Sequence, residues 1–98
     1  MNIEVYFSGD VHVATVNAPD QLDRDAALEF AWVCTQNIEG SWSKPGNPDY
    51  NPAVTVRLPL RVHGGHIYGH RSSMVGDRFV TPGGTFEVAS MGFTQVAA

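Results

Sequence analysis

Three histidines fall within eight positions of the stretch HGGHIYGHRSSMVGD, residues 63 to 77, and Arg71-Ser72-Ser73 follows at once. Such residues could ligate a metal, cradle a phosphate or simply decorate a β-hairpin. Geometry weighs the three readings. If Gly64-Gly65 makes a two-residue turn, His63 faces His66 with Cβ atoms roughly 5 Å apart. A rise of about 3.3 Å per residue carries His70 roughly 13 Å beyond His66. Zinc–nitrogen bonds of about 2.1 Å do not bridge that span. No CxxC or HExxH motif offers further ligands. The expectation is therefore no metal and no cofactor, with Arg61 and Tyr68 opposed as a stacking pair on the same hairpin.

Nucleophiles fare no better. Cys34 falls inside a helical apolar pattern, where a thiol is inert packing. No serine occupies a GxSxG elbow, and no GxGxxG or GxxxxGK[ST] loop is present. Asp23 and Asp25 read as helix-start acids. The chain is not expected to be an enzyme. Two polar groups are of more interest. Thr35-Gln36-Asn37 closes the helix with Trp42 shortly after, and Arg71-Ser72 leads through Val75-Gly76 to Asp77. Guanidinium, hydroxyl, amide and indole groups hold phosphates and flat rings. Gln36, Asn37, Trp42, Arg71, Ser72 and Asp77 are thus candidate binding residues. The alternative is scaffolding: Gln36 and Asn37 satisfying backbone at the helix end, and Arg71 pairing with Asp77.

Composition narrows the classes. The 98 residues suit one domain, 1–98; apolar residues make up 43% and charged ones only 16%, which argues against disorder. The net charge of −4 conceals an asymmetry: residues 1 to 49 hold eight acids against Arg24 and Lys44, while the rest hold Arg57, Arg61, Arg71 and Arg78 against Asp77 and Glu87. Duplex nucleic acid is a poor partner for an acidic chain, whereas one small anion or one acidic protein patch remains open. No apolar run approaches the ~20 residues of a membrane span. MNIEVYFSGD lacks the basic and apolar regions of a signal peptide. With a single cysteine, a cytoplasmic location is expected.

The elements follow from periodicity. Ile3, Val5 and Phe7 alternate as a strand, and Gly9-Asp10 turns the chain into a second strand near Val11 to Val16, in ambiguous register. A helix is expected over 21 to 38, capped by Asp20 or Asp23, stopped by Gly40, and packed by Phe30, Val33 and Cys34. Leu28 and Trp32 extend that face at one flank. SWSKPGNPDYNP, 41 to 52, is a loop whose Trp42 and Tyr50 should fold back over the core or helix end. AVTVRLPLRV, 53 to 62, alternates cleanly, with Pro59 marking an edge strand or a bulge. A second hairpin places a type II turn at Thr81-Pro82-Gly83-Gly84. Gly92 to Val96 forms a last short strand. The fold class is α+β: one helix on a mostly antiparallel sheet of five or six strands, which could curl towards a half-barrel.

RSSMVGDRFV, a short turn and then TFEVASMGFTQV resembles the R-S-x-S-V-G-D … y-x-V … G-F pattern of YodL-like domains and of small phage and mobile-element proteins. Arg71, Ser72, Val75, Gly76, Asp77, Gly92 and Phe93 match it, and Met74 departs from it. Thr35-Gln36-Asn37 and Ser41-Trp42 are similar to an upstream helix end in the phage proteins. The resemblance covers residues 26 to 98 in outline and implies a phage-encoded accessory protein. Two functions are open: binding and modulating a host bacterial protein, or holding a small anionic ligand as a sponge for a nucleotide signal.

Overall fold

The computed structural model describes residues 1–96. The alternation of Ile3 and Val5 with polar neighbours makes strand β1, Asn2–Phe7. Gly9 and Asp10 both adopt positive φ, 87° and 61°, and return the chain as β2, Val11–Asn17. Pairing steps from Val5 opposite Ala14 to Tyr6 opposite His12, so Val13 is the extra residue of a β-bulge. Val13 and Ala14 are then both buried, which is why β2 has no clean alternation to read.

Helix α1 spans Arg24–Cys34, and the Asp23 carboxylate accepts the Ala26 N–H at 2.8 Å as its N-cap. It is shorter than the expected 21–38 at both ends. The Thr35 hydroxyl donates back to the Ala31 carbonyl, while the Thr35 carbonyl accepts the Ser73 N–H, so the chain leaves the helix to meet a distant segment. Gly40 does not stop the helix. A Cβ there would lie 2.1 Å from Asn47 Oδ1, so Gly40 serves a close approach of two loop segments. The buried stripe is also rotated from expectation: Ala27, Leu28, Ala31 and Cys34 face the sheet, Phe30 is half-buried, and Val33 is 54% exposed. Those four positions keep 3.6 spacing on a stripe centred near Ala31, with Val33 on the opposite side of the helix.

The segment 53 to 62 does not run as one strand. It splits into β3, Val54–Val56, and β4, Arg61–His63. The Arg57 and Leu58 N–H groups both donate to the Val13 carbonyl, and Pro59 has no N–H to continue the ladder. Of the apolar face that the alternation predicts, Val54, Val56, Leu58, Leu60 and Val62, only Val54 is buried, and Val62 is exposed. β4 pairs with β5, His66–Tyr68, as a separate two-stranded ribbon. Then come β6, Arg78–Thr81, β7, Gly84–Val88, and β8, Phe93–Gln95.

The main sheet has six strands in the order β3-β2-β1-β6-β7-β8, each neighbour antiparallel, so the α+β class holds. β3 and β8 are its two edges, as Pro59 suggested for β3. The turn from β6 to β7 is not type II, because positive φ falls on Gly84 and not on Gly83. Instead the Thr81 hydroxyl accepts the Gly83 N–H and donates to the Gly84 carbonyl. Ile3, Val5, Val16, Val54, Phe79 and Phe86 on the sheet close one core with Leu28, Ala31 and Trp42. Among the described residues, no helix is long and apolar enough to cross a membrane.

Candidate functional site

All six candidate residues lie along one seam, where residues 35–43 meet residues 69–77. Trp42 does fold back over the core: it is wholly buried, and its indole N–H donates to the Arg71 carbonyl at 2.8 Å. Gln36 Nε2 donates to the Ser73 carbonyl at 3.2 Å. Asn37 uses three groups. Its backbone N–H donates to Ser72 Oγ, its Nδ2 to the His70 carbonyl, and its Oδ1 accepts the Trp42 N–H. The Ser73 hydroxyl donates to Thr35 Oγ1 at 2.7 Å, inside the protein. Residues far apart in sequence are laced into one polar network.

Asp77 anchors the far end of the seam. Its side chain is fully buried and accepts Arg71 Nη1 and Nη2 at 2.7 and 2.9 Å, a two-pronged ion pair. The same two oxygens accept the Ser8 and Met74 N–H groups at 3.0 and 2.9 Å. Hydrogen bonding to Asp77 raises the Arg71 pKa further above an already high value. The guanidinium carbon lies 3.7 Å from the centre of the Phe7 ring. Met74, the departure from the YodL-like pattern, contributes its backbone to this turn while its side chain is exposed. Arg71, Ser72 and Asp77 are thereby engaged with one another and with the chain. The anticipated Arg71–Asp77 pair is present, whereas Gln36 and Asn37 bond the backbone of Ser73, His70 and Trp42 and not that of the helix end.

The seam clamps the base of the β4–β5 ribbon. On the returning leg, the His70 N–H donates to Ser43 Oγ at 2.7 Å, and a Cβ on Gly69 would lie 2.0 Å from Ser41 Oγ. On the outgoing leg, the Leu58 carbonyl accepts His70 Nε2 at 2.8 Å. His70 also stands edge-on to Phe7 and tilted against Trp42. It is therefore turned inward, away from His63 and His66, which face each other across Gly64-Gly65. Arg61 stacks on Tyr68 at 4.6 Å. Among the described residues, no group of three His, Cys, Asp or Glu side chains could hold a metal ion.

Ser43, Gly69 and Asp49 were not legible as parts of this arrangement. Asp49 Oδ2 accepts the N–H groups of Ile38, Glu39 and Gly40 at 2.7, 2.9 and 2.7 Å. Those bonds, with Gly40 first, hold its pKa below the usual 3.8. The only sequence signal was a lone acid in a proline-rich loop after a helix with no basic residue in its last turn. Cys34 is buried, and desolvation pushes its thiol up to about 11. Comparison of the chain with protein-family models, curated proteins and solved structures found no match.

Proposed function

We propose that this chain is a small, non-enzymatic accessory protein, related to YodL-like phage and mobile-element proteins, that acts in the bacterial cytoplasm by binding and modulating a host protein. One observation carries the reading. The molecule holds out a ribbon, β4–β5, in which every residue is exposed, including Val62 at 64% and Ile67 at 49%. A two-stranded hairpin alone is marginal in water, yet this one is mounted by a buried tryptophan, a buried carboxylate and a dense polar seam. That investment is what a presented binding element requires. The Cys34 thiol, raised to about 11, is no nucleophile at neutral pH, which fits a role without catalysis.

The alternative, a sponge for a small anionic ligand, has less in its favour. Three of the five Arg71 N–H donors are engaged by Asp77 and Ser72, and the Asp77 carboxylate already balances its charge. A cavity of about 260 Å³ that reaches Phe7 and Gly76 is lined by Asp10 and Glu87 as well as Arg78, and Arg78 is already 3.4 Å from Glu87. Two carboxylates beside one paired guanidinium repel an anion. The test is affinity capture from bacterial host lysate, beside mass spectrometry of small molecules released on denaturation. A single stoichiometric protein is the expected result; a released nucleotide with no captured protein would favour the alternative.

A further inference from the structure

We infer that the β4–β5 ribbon docks into an acidic, apolar-floored groove of its protein partner, Arg61 meeting a carboxylate while Val62 and Ile67 are covered together; this rests on the protein-binding reading above. Cross-strand pairs share a face of a hairpin, and successive residues alternate. Arg61 pairs with Tyr68 and His63 with His66, so these four share one face. Their contacts agree: Arg61 stacks on Tyr68, and the His66 and Tyr68 rings lie 4.5 Å apart. Val62 pairs with Ile67, and both belong to the opposite face. The ribbon thus has a cationic aromatic face and an apolar one, and both are open to solvent.

Its charge is as one-sided as its shape. Residues 50 to 76 contain no carboxylate, in a chain whose net charge is −4. The acids that bracket this stretch are both occupied: Asp49 by three backbone N–H groups, Asp77 by Arg71. Among the described residues Arg61 faces only the Tyr68 ring and forms no ion pair. The guanidinium carbon sits 4.6 Å from the Tyr68 ring centre, and a guanidinium so placed has donors to offer in a two-pronged carboxylate contact. Polyanionic nucleic acid fits less well. It would leave Val62 and Ile67 uncovered against phosphate and would meet repulsion from the eight acids of residues 1 to 49. A second copy would bring two like-charged ribbons together.

The experiment titrates the ¹⁵N-labelled full chain with three probes: a short peptide alternating glutamate and leucine, the same peptide with lysine for glutamate, and oligo(dT). Only the glutamate peptide should move the amides of residues 61–68, and added salt should weaken it. Arg61→Glu should weaken that peptide by about tenfold or more, and the double variant Val62→Ser, Ile67→Ser should reduce it further. If the double variant loses the ribbon, Arg61→Glu alone decides. Equal response to both peptides, a ribbon response to oligo(dT), shifts confined to other residues, or concentration-dependent shifts without any probe would each overturn the inference. Arg61→Glu also separates this inference from the reading beneath it. A host protein captured equally by wild type and Arg61→Glu sinks the ribbon and leaves protein binding intact. Capture of nothing by wild type sinks the protein-binding reading itself.

Discussion

Two hairpins of this molecule use the same local chemistry and come to opposite ends. β4–β5 and β6–β7 each alternate apolar and polar residues about a turn that contains glycine. In β6–β7 the alternation buries Phe79, Thr81, Phe86 and Val88. In β4–β5 it buries nothing. The difference lies in the neighbours. β6 is paired with β1 along its length and lies in the middle of the sheet, whereas β4 follows the break at Pro59 and leaves it. Alternation says that two faces differ; only a covering layer makes one of them a core.

The comparison can be broken by substitution. The largest effect is expected at Phe79, which is fully buried between Val5 and Phe86. Phe79→Ala should cost about 3–5 kcal/mol in urea unfolding. Cys34 reports the same event. With its pKa raised to about 11, the thiol should resist alkylation near neutral pH in the native state and react faster in step with that destabilisation. Slow labelling with an unchanged unfolding midpoint would show that Phe79 is not central to the core.

The mount of the ribbon should respond next. Asp77→Ala removes the part-buried bonds from the Ser8 and Met74 N–H groups to a charged acceptor, each worth about 1.5–3 kcal/mol, and leaves Arg71 without its partner. Arg71→Ala leaves those bonds in place but strips the fully buried Asp77 carboxylate of its counter-charge, at a cost of about 1–3 kcal/mol. Equal losses in the two variants would place the stabilisation in the ion pair and not in the backbone bonds. Amide exchange at residues 61–68 should rise more in Asp77→Ala than in Arg71→Ala.

Acid gives a smaller and signed effect. The folded Asp49 pKa lies below its unfolded value of 3.8, so its contribution is whole at neutral pH. It begins to fade near pH 4 and is lost as pH drops through the lower folded value. Asp49→Asn should therefore flatten the acid side of the melting-temperature profile and leave the alkaline side alone. An unchanged acid limb would show that the three N–H groups find water equally well. The smallest effect belongs to the ribbon: Val62→Ala should change stability by no more than about 0.5 kcal/mol, and a larger loss would mean that Val62 is covered after all.

Much of this fold was written in local chemistry. Ile3 and Val5, the Gly64-Gly65 turn and the short strand near Phe93 each act through a few adjacent residues, so their types alone determine them, whereas the cap was narrowed only to Asp20 or Asp23. The same holds for His63 facing His66, a consequence of turn length and strand period. What local pattern could not say is which apolar face finds a partner. Phe30 and Val33 match a helical period as well as Leu28 does, yet the buried stripe is the one centred on Ala31, with Leu28 at its edge. Val62 alternates as cleanly as Val54, yet only Val54 has a layer above it. The candidate residues Gln36, Asn37, Trp42, Arg71, Ser72 and Asp77 were recognisable as a polar set from their types. Their use was decided in three dimensions, because a donor or acceptor is free only if no distant backbone group reaches it, and here residues about thirty positions apart do. Sequence supplied the groups and their local turns; burial and long-range hydrogen bonding, which depend on every element at once, decided which were spent on the fold and which stayed open to a partner.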